Sequence, residues 1–317
     1  MSTSKSTMIE RVETYVKWKQ GAGYSLKGTA GELRRFARFA DSVGHQGPVT
    51  LSLILHWAES ANGSTRLYRA RRVEMAGTFA RFEATFEPDT QIPPRGLLGP
   101  AHRRVNPHIY AETEITALMD AAAELAPQGG LRPRTYRTLI GLLASTGLRV
   151  CEALHLKATE FDRTAGQLRI QQTKFGKTRL VLLHPSVVRA LSEYAEFRDG
   201  YHRSVTTDCF LVSEQGRALL PSVVSYTFRK LRCELSLDAS HHGRAPRLYD
   251  LRHTFACRVL ERWYAEGLDV NQRLPYLSTY MGHVRPTDTY WYLSGVPELM
   301  RLANTRFDDG FVERVSQ

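Results

Sequence analysis

The chain has only four cysteines, Cys151, Cys209, Cys233 and Cys257, and no two of them form a CxxC pair or a zinc-ligand spacing. A disulfide framework and a structural zinc site are therefore not expected, and free thiols suit a reducing compartment. His241 and His242 are adjacent but have no nearby ligand partners, so no metal is expected there either. No run of 18 or more apolar residues occurs, which argues against a membrane-spanning helix. The N-terminus is polar and lacks the apolar stretch of a secretory signal, so a cytoplasmic chain is expected. There is no GxxxxGK[ST] phosphate loop and no tight Asp/Glu cluster, which sets aside nucleotide-driven and two-metal chemistry. Internal repeats and low-complexity tracts are absent as well.

What the chain has is positive charge. The 317 residues carry 43 Lys and Arg against 32 Asp and Glu, a net +11. Such a balance favours a polyanionic partner, nucleic acid first and an anionic membrane surface second. Charge that serves only solvation is the plain alternative. Residues 1–105 hold 16 basic and 9 acidic side chains, so most of the excess lies in the first third.

Residues 88–107 contain five prolines, two glycines and no helical period. They divide a short segment from a long one, with a linker expected over 91–107. The first segment reads as four helices. In one of them Leu33, Phe36, Phe39 and Ala40 recur at helical spacing, with Arg34, Arg35 and Arg38 between them. The last gathers Arg66, Arg69, Arg71 and Arg72. A basic helical bundle suits a domain that tracks a DNA groove, and a solvated arginine face on an ordinary bundle fits the same pattern. The second segment alternates. Ile115, Leu118, Met119, Ala122 and Leu125 mark one amphipathic helix, and Pro133 to Gly147 brackets another with proline at its start and glycine at its end. Around Leu168 and Ile170 the period changes to two, "KFGK" turns, and Leu180 to Leu183 return, which predicts a β-hairpin with a basic tip. Four further helices are predicted over 186–198, 221–236, 249–266 and 271–281.

Several polar residues interrupt these apolar patterns. "STGLRVCEALHL" places Arg149 at a helix start with Glu152 three residues on, where a carboxylate reaches and orients a guanidinium. "RLYDLRHTFACRVL" sets Arg252 and His253 inside an apolar helix, and arginine is seldom buried without a partner. Two arginines aimed at one point suit the oxygens of a phosphate, while a structural ion pair would explain either one alone.

The order TGLRxxEAL, a basic hairpin, LRHTFA, YMGH, and a tyrosine nine residues after that histidine resembles the catalytic domain of tyrosine recombinases, the phage-integrase family. The resemblance spans roughly 108–300, and the ending "TYWYLSGVPELM" is similar to recombinases carried on transposons and plasmids. It implies a mainly α fold with a small antiparallel β-sheet in the catalytic domain. It also implies a helical core-binding domain over 1–90 and a catalytic domain with a C-terminal tail over 108–317. By position, Arg149 and Arg252 correspond to the two catalytic arginines and Glu152 to the acidic residue that supports the first. Lys174 corresponds to the hairpin lysine, with Lys177 as its rival, and His283 to the second active-site histidine. Lys177 and Arg179, with the arginines of the first segment, are expected to meet DNA. The family's usual histidine three residues before the second arginine is replaced by Tyr249, a phenol that is a poor general base near neutral pH. His253 lies about 100° round the helix from Arg252 and reads as a packing or supporting residue.

The same resemblance implies cleavage and rejoining of DNA at a specific site by a nucleophilic tyrosine, without metal, ATP or another cofactor. A tetramer on double-stranded DNA is implied, with the need for partner recombinases left open, and a nucleoid location when bound. A type IB topoisomerase and a non-catalytic DNA-binding protein on the same fold are the alternatives. Of the tyrosines after His283, Tyr290 and Tyr292 are about 200° apart on a helix and do not face one phosphate together. Tyr292 has the family's spacing from His283, and Thr289 falls where the family often has threonine, so Tyr292 is expected as the nucleophile. Leu299, Met300, Leu302 and Phe307 in the tail suit either docking on a neighbouring subunit or packing at home.

Overall fold

The computed structural model describes residues 6–102, 106–171, 178–201, 206–237, 245–283, 285, 289 and 290. The chain divides into two compact units, residues 1–105 and 106–317.

Among its described residues the first unit has four helices: α1 (Met8–Gly21), α2 (Lys27–Ser42), α3 (Leu51–Glu59) and α4 (Arg66–Glu83). Threonines start three of them. Thr7, Thr50 and Thr65 each accept a bond from the backbone N–H three residues on, and Glu10 returns the bond to Thr7 as a capping box. Val12, Val16, Leu33, Ala37, Ile54, Val73 and Ala76 fill the centre, and Phe36 sits edge-on to both Trp57 and Phe79. The stretch expected to be a linker is laid along this unit as far as Ala101. The Gln91 backbone N–H donates to the Val49 carbonyl, Arg66 donates to the Leu98 carbonyl and Arg71 to the Ala101 carbonyl. A proline-rich strap without periodicity has the composition of a linker, and only its long-range partners distinguish the two.

The second unit is built round α6 (Leu131–Thr146), which packs against α5 (Glu112–Ala123), α8 (Pro185–Tyr201) and α10 (Asp250–Ala265). Leu139, Ile140, Leu142 and Leu143 are buried on it, each worth roughly 1.5–3 kcal/mol of apolar burial. After α6 come the short α7 (Val150–His155) and a three-stranded antiparallel sheet in the order β1-β2-β3. Its strands are β1 (Phe161–Asp162), β2 (Gln167–Ile170) and β3 (Arg179–Leu182). The predicted hairpin is β2–β3, with Leu168 opposite Val181 and Ile170 opposite Arg179. Leu168, Ile170 and Val181 point into the core. β1 was not predicted, because two residues are too few to show a period. Helix α9 (Pro221–Glu234) follows, and α10 and α11 (Val270–Met281) enclose a smaller cluster of Ala256, Cys257, Leu260, Leu274 and Leu277. Among the described residues no helix is long and apolar enough to cross a membrane.

Helix α6 ends at Gly147, whose φ of +62° is left-handed. A Cβ there would lie 2.5 Å from Phe255 Cδ1. Gly147 therefore meets two demands at once, a backbone turn and room for a ring on α10. Gly147→Ala is expected to lower stability by about 2–4 kcal/mol, the sum of left-handed strain and overpacking. Urea denaturation checks this, and an unchanged midpoint would contradict it.

Candidate active site

Arg149 is the N-cap residue of α7, placed there because Gly147 turns the chain out of α6 and buried Leu148 anchors it. Glu152 occupies the third helical position and reaches back. Its carboxylate accepts from the Arg149 backbone N–H at 3.0 Å and from Arg149 Nη1 at 2.8 Å. The same carboxylate accepts from Arg179 of β3, Nη1 at 3.1 Å and Nη2 at 2.7 Å. Glu152 is only 9% exposed. Burial alone would push its carboxyl up, but the bonds from Arg179 and Arg149 outweigh that and hold it down at about 2. Glu152 is therefore charged at every ordinary pH.

Arg252 is 1% exposed, in the first turn of α10. Its Nη1 donates to the Gly147 carbonyl at 2.7 Å and its Nη2 to the Met281 carbonyl at 2.7 Å. These are the C-terminal ends of α6 and α11, where unused carbonyls carry partial negative charge. A desolvated guanidinium is thus held between two helix ends. Nη2 also lies 2.9 Å from His283 Nε2. Arginine only donates, so in this arrangement Nε2 accepts and Nδ1 carries the ring proton, given to Thr289 Oγ1 at 2.7 Å. Thr289 is fully buried.

Three arginines converge on the end of α11. Arg179 Nε donates to the Tyr280 carbonyl at 2.9 Å, Arg252 to Met281, and Arg149 Nη2 to Gly282 at 3.0 Å. Gly282 has a φ of +67°, and a Cβ on it would lie 2.8 Å from Arg179 Nη1.

Arg149, Glu152, Arg252 and His283, singled out in the sequence, thus come together, with Thr289 behind the histidine. Tyr249 is the N-cap residue of α10 and 41% exposed, its ring edge-on to His253 at 5.3 Å between centroids. His253 is pushed down to about 4, chiefly by burial and also by Arg247 and Arg252, so it is neutral at pH 7. Lys174, Lys177, Tyr292, His241, His242 and the tail from 291 onward lie outside the described residues. Tyr290 is half-exposed.

Two of the arginines expected to meet DNA are turned inward. Arg179 is bound up with Glu152 and Tyr280. Arg72 is 6% exposed, with its guanidinium 4.0 Å from the centre of the Trp57 ring. Both guanidiniums are taken up by partners within the protein. Their helical or strand position showed only that they were basic, and the partners that turn them in come from elsewhere in the chain. Arg34 pairs with Glu13 and Arg35 with Glu32, with 41% and 63% of the arginine side chains exposed. Arg38 is exposed, Arg66 and Arg71 hold the strap, and Arg69 donates to Ser64. Sequence reasoning missed the Glu152–Arg179 pair and the carbonyl acceptors at Gly147 and Met281, since backbone groups leave no trace in residue type.

Glu152→Gln should leave two inward guanidiniums without their counter-charge and lower stability at pH 7 by about 3–5 kcal/mol. The sign with pH follows from the depressed carboxyl. The stabilisation is complete above about 4.5 and is lost as pH falls toward about 2. Urea denaturation from pH 7 to 2 should show a shallower acid loss in the variant, and parallel curves would contradict the assignment.

Residues 109–295 match the phage integrase family. A putative integrase/recombinase of Sinorhizobium fredii, y4rB, is 38% identical over 315 residues, covering 98% of this chain and 99% of that protein. Among solved structures, XerH site-specific recombinase bound to its palindromic difH substrate aligns with a TM-score of 0.65 at 17% identity, covering 94% of this chain and 84% of that one. A lambda integrase tetramer bound to a Holliday junction aligns at 0.60 and 17% identity, covering 90% and 80%. With the family pattern spanning more than half of its length, and a full-length relative above 30% identity, the chain belongs to the phage integrase family of tyrosine recombinases.

Proposed function

We propose that the protein is a site-specific DNA recombinase that cuts and rejoins strands through a covalent 3′-phosphotyrosyl intermediate. The observation that carries this reading is the convergence of Arg149 and Arg252 on residues 281–283, nine to eleven residues before Tyr292. A phosphodiester placed there meets two guanidiniums and an imidazole, the donor set that stabilises charge on a pentacoordinate phosphorus.

In the proposed step, Tyr292 Oη forms a bond to the scissile phosphorus and loses its proton to water. The bond from phosphorus to the 5′ oxygen breaks, the electron pair goes to that oxygen, and Lys174 protonates it as general acid. Rejoining is the reverse, with the 5′-hydroxyl of a partner strand attacking the phosphotyrosyl bond. One phosphodiester is exchanged for another of similar energy, so the reaction requires no ATP, and the guanidiniums and imidazole supply the charge stabilisation that a metal would otherwise give. Tyr249 donates a hydrogen bond to a phosphate oxygen in place of the usual histidine. A phosphate oxygen that takes over the bond from Arg252 Nη2 leaves His283 Nε2 beside it, and protonated at that nitrogen His283 donates to the same phosphate. Arg34, Arg35 and Arg38 of the first unit meet the DNA backbone, and four protomers act together on paired sites.

Purified protein incubated with nicked DNA from the ends of its native element should form a detergent-resistant adduct, and Tyr292→Phe should abolish it. No adduct with the wild type would sink the reading, and sequence-independent relaxation of plasmid would move it to a topoisomerase. Arg252→Lys should slow adduct formation by about 100-fold or more while DNA affinity holds, because one ammonium does not reproduce the guanidinium fork. DNA affinity should fall steeply with salt between about 50 and 200 mM; a flat dependence would contradict a phosphate-based grip.

A further inference from the structure

We infer that Arg179 is a positioning residue for strand cleavage, acting through Glu152 on Arg149, and not a DNA contact. The inference rests on the recombinase reading above.

The geometry is a closed ring. Glu152 Oε1 accepts from both Arg149 Nη1 and Arg179 Nη1, and Oε2 accepts from Arg179 Nη2 and the Arg149 backbone N–H. The remaining donors of both arginines turn the same way. Arg149 Nη2 goes to the Gly282 carbonyl and Arg179 Nε to the Tyr280 carbonyl. Glu152 and the end of α11 are therefore bridged twice, once by each arginine. Arg179 spends three nitrogens on this ring, and its side chain is only 10% exposed. Arg149 is more open, with 22% of its side chain exposed.

The asymmetry divides the roles. Arg149, the more exposed of the two, is the one placed to release the Gly282 carbonyl for a phosphate. Arg179 stays with Glu152 and keeps that carboxylate fixed. Without Arg179, Glu152 loses its bidentate partner and rotates toward solvent or toward Arg149 alone, and the Arg149 fork loses its orientation. Gly282 supports this division. Its missing side chain leaves the space that the Arg179 guanidinium fills, so the glycine serves the ring as well as the turn. Arg179 also begins β3, five residues after Lys174 in the sequence. The ring thus ties the foot of that strand to α7 and α11.

The test is a kinetic double-mutant cycle on nicked suicide DNA, with single-turnover adduct formation measured for wild type, Arg179→Lys, Arg149→Ala and the double variant. Lysine keeps the charge but does not bridge Glu152 and Tyr280 together. Arg179→Lys is expected to slow cleavage about 10- to 100-fold, with DNA affinity within about twofold of wild type and an unchanged salt slope. If Arg179 acts through Arg149, the double variant is no slower than Arg149→Ala. Multiplicative losses, or a weaker affinity with a salt slope reduced by about one, would overturn the inference. Should Arg179→Lys fail to fold, Arg179→Gln, which is uncharged and keeps one donor nitrogen, takes its place in the cycle. A wild type that forms no adduct defeats the recombinase reading itself, and this inference with it. A wild type that cleaves with Arg179→Lys equally fast defeats only the inference.

Discussion

At the end of helix α11 and its cap, the carbonyls of Tyr280, Met281 and Gly282 each accept from an arginine, and the three arginines come from three different elements. Arg179 comes from β3, Arg252 from α10 and Arg149 from the start of α7. Each bond is charge-assisted, worth roughly 1.5–3 kcal/mol against water, and the cations sit where the helix dipole favours them. The arrangement solves two problems together. The helix end needs donors, and the guanidiniums need acceptors that hold them without neutralising them. Carbonyls do this where carboxylates would not, since a carbonyl leaves the full positive charge for an incoming anion.

Glu152 is the exception. A single buried carboxylate faces two guanidiniums, so the pair-and-a-half leaves net positive charge at the site. Its depressed titration shows that attraction from Arg179 and Arg149 exceeds the penalty of burial. The glycines follow from the same demand for close approach. Gly147 and Gly282 end α6 and α11 in left-handed turns, and their carbonyls accept from Arg252 and Arg149. A side chain at either position would push away a neighbour that the site requires.

The sequence disclosed those parts that depend on local order. Helical periods located α1 to α6, the glycine after Thr146 located the end of α6, whose start lies two residues before the expected Pro133, and the alternation at Leu168 and Ile170 located the hairpin. Arg149 and Glu152 were legible as a pair because three residues along a helix are neighbours. Arg179 and Glu152 are 27 residues apart, and no period links them. Arg72 looked like its exposed neighbours because residue type says nothing about the Trp57 ring that covers it. The 91–101 strap had a linker's composition, and its bonds to Val49, Arg66 and Arg71 are all long-range. Tyr249 was visible as a departure from the family pattern, and the structure sets it at the exposed mouth of α10, beside a neutral His253.

The central claim is that Arg149 and Arg252 are held on helix carbonyls in readiness for one phosphate, while Arg179 remains with Glu152. A crystal structure of Tyr292→Phe bound to its uncleaved site measures this directly. The expected result places nitrogens of Arg149 and Arg252 within about 3 Å of oxygens of the scissile phosphate, with the Glu152–Arg179 pair intact. A phosphate held by Arg179, or one that leaves Arg252 untouched between the ends of α6 and α11, would contradict it.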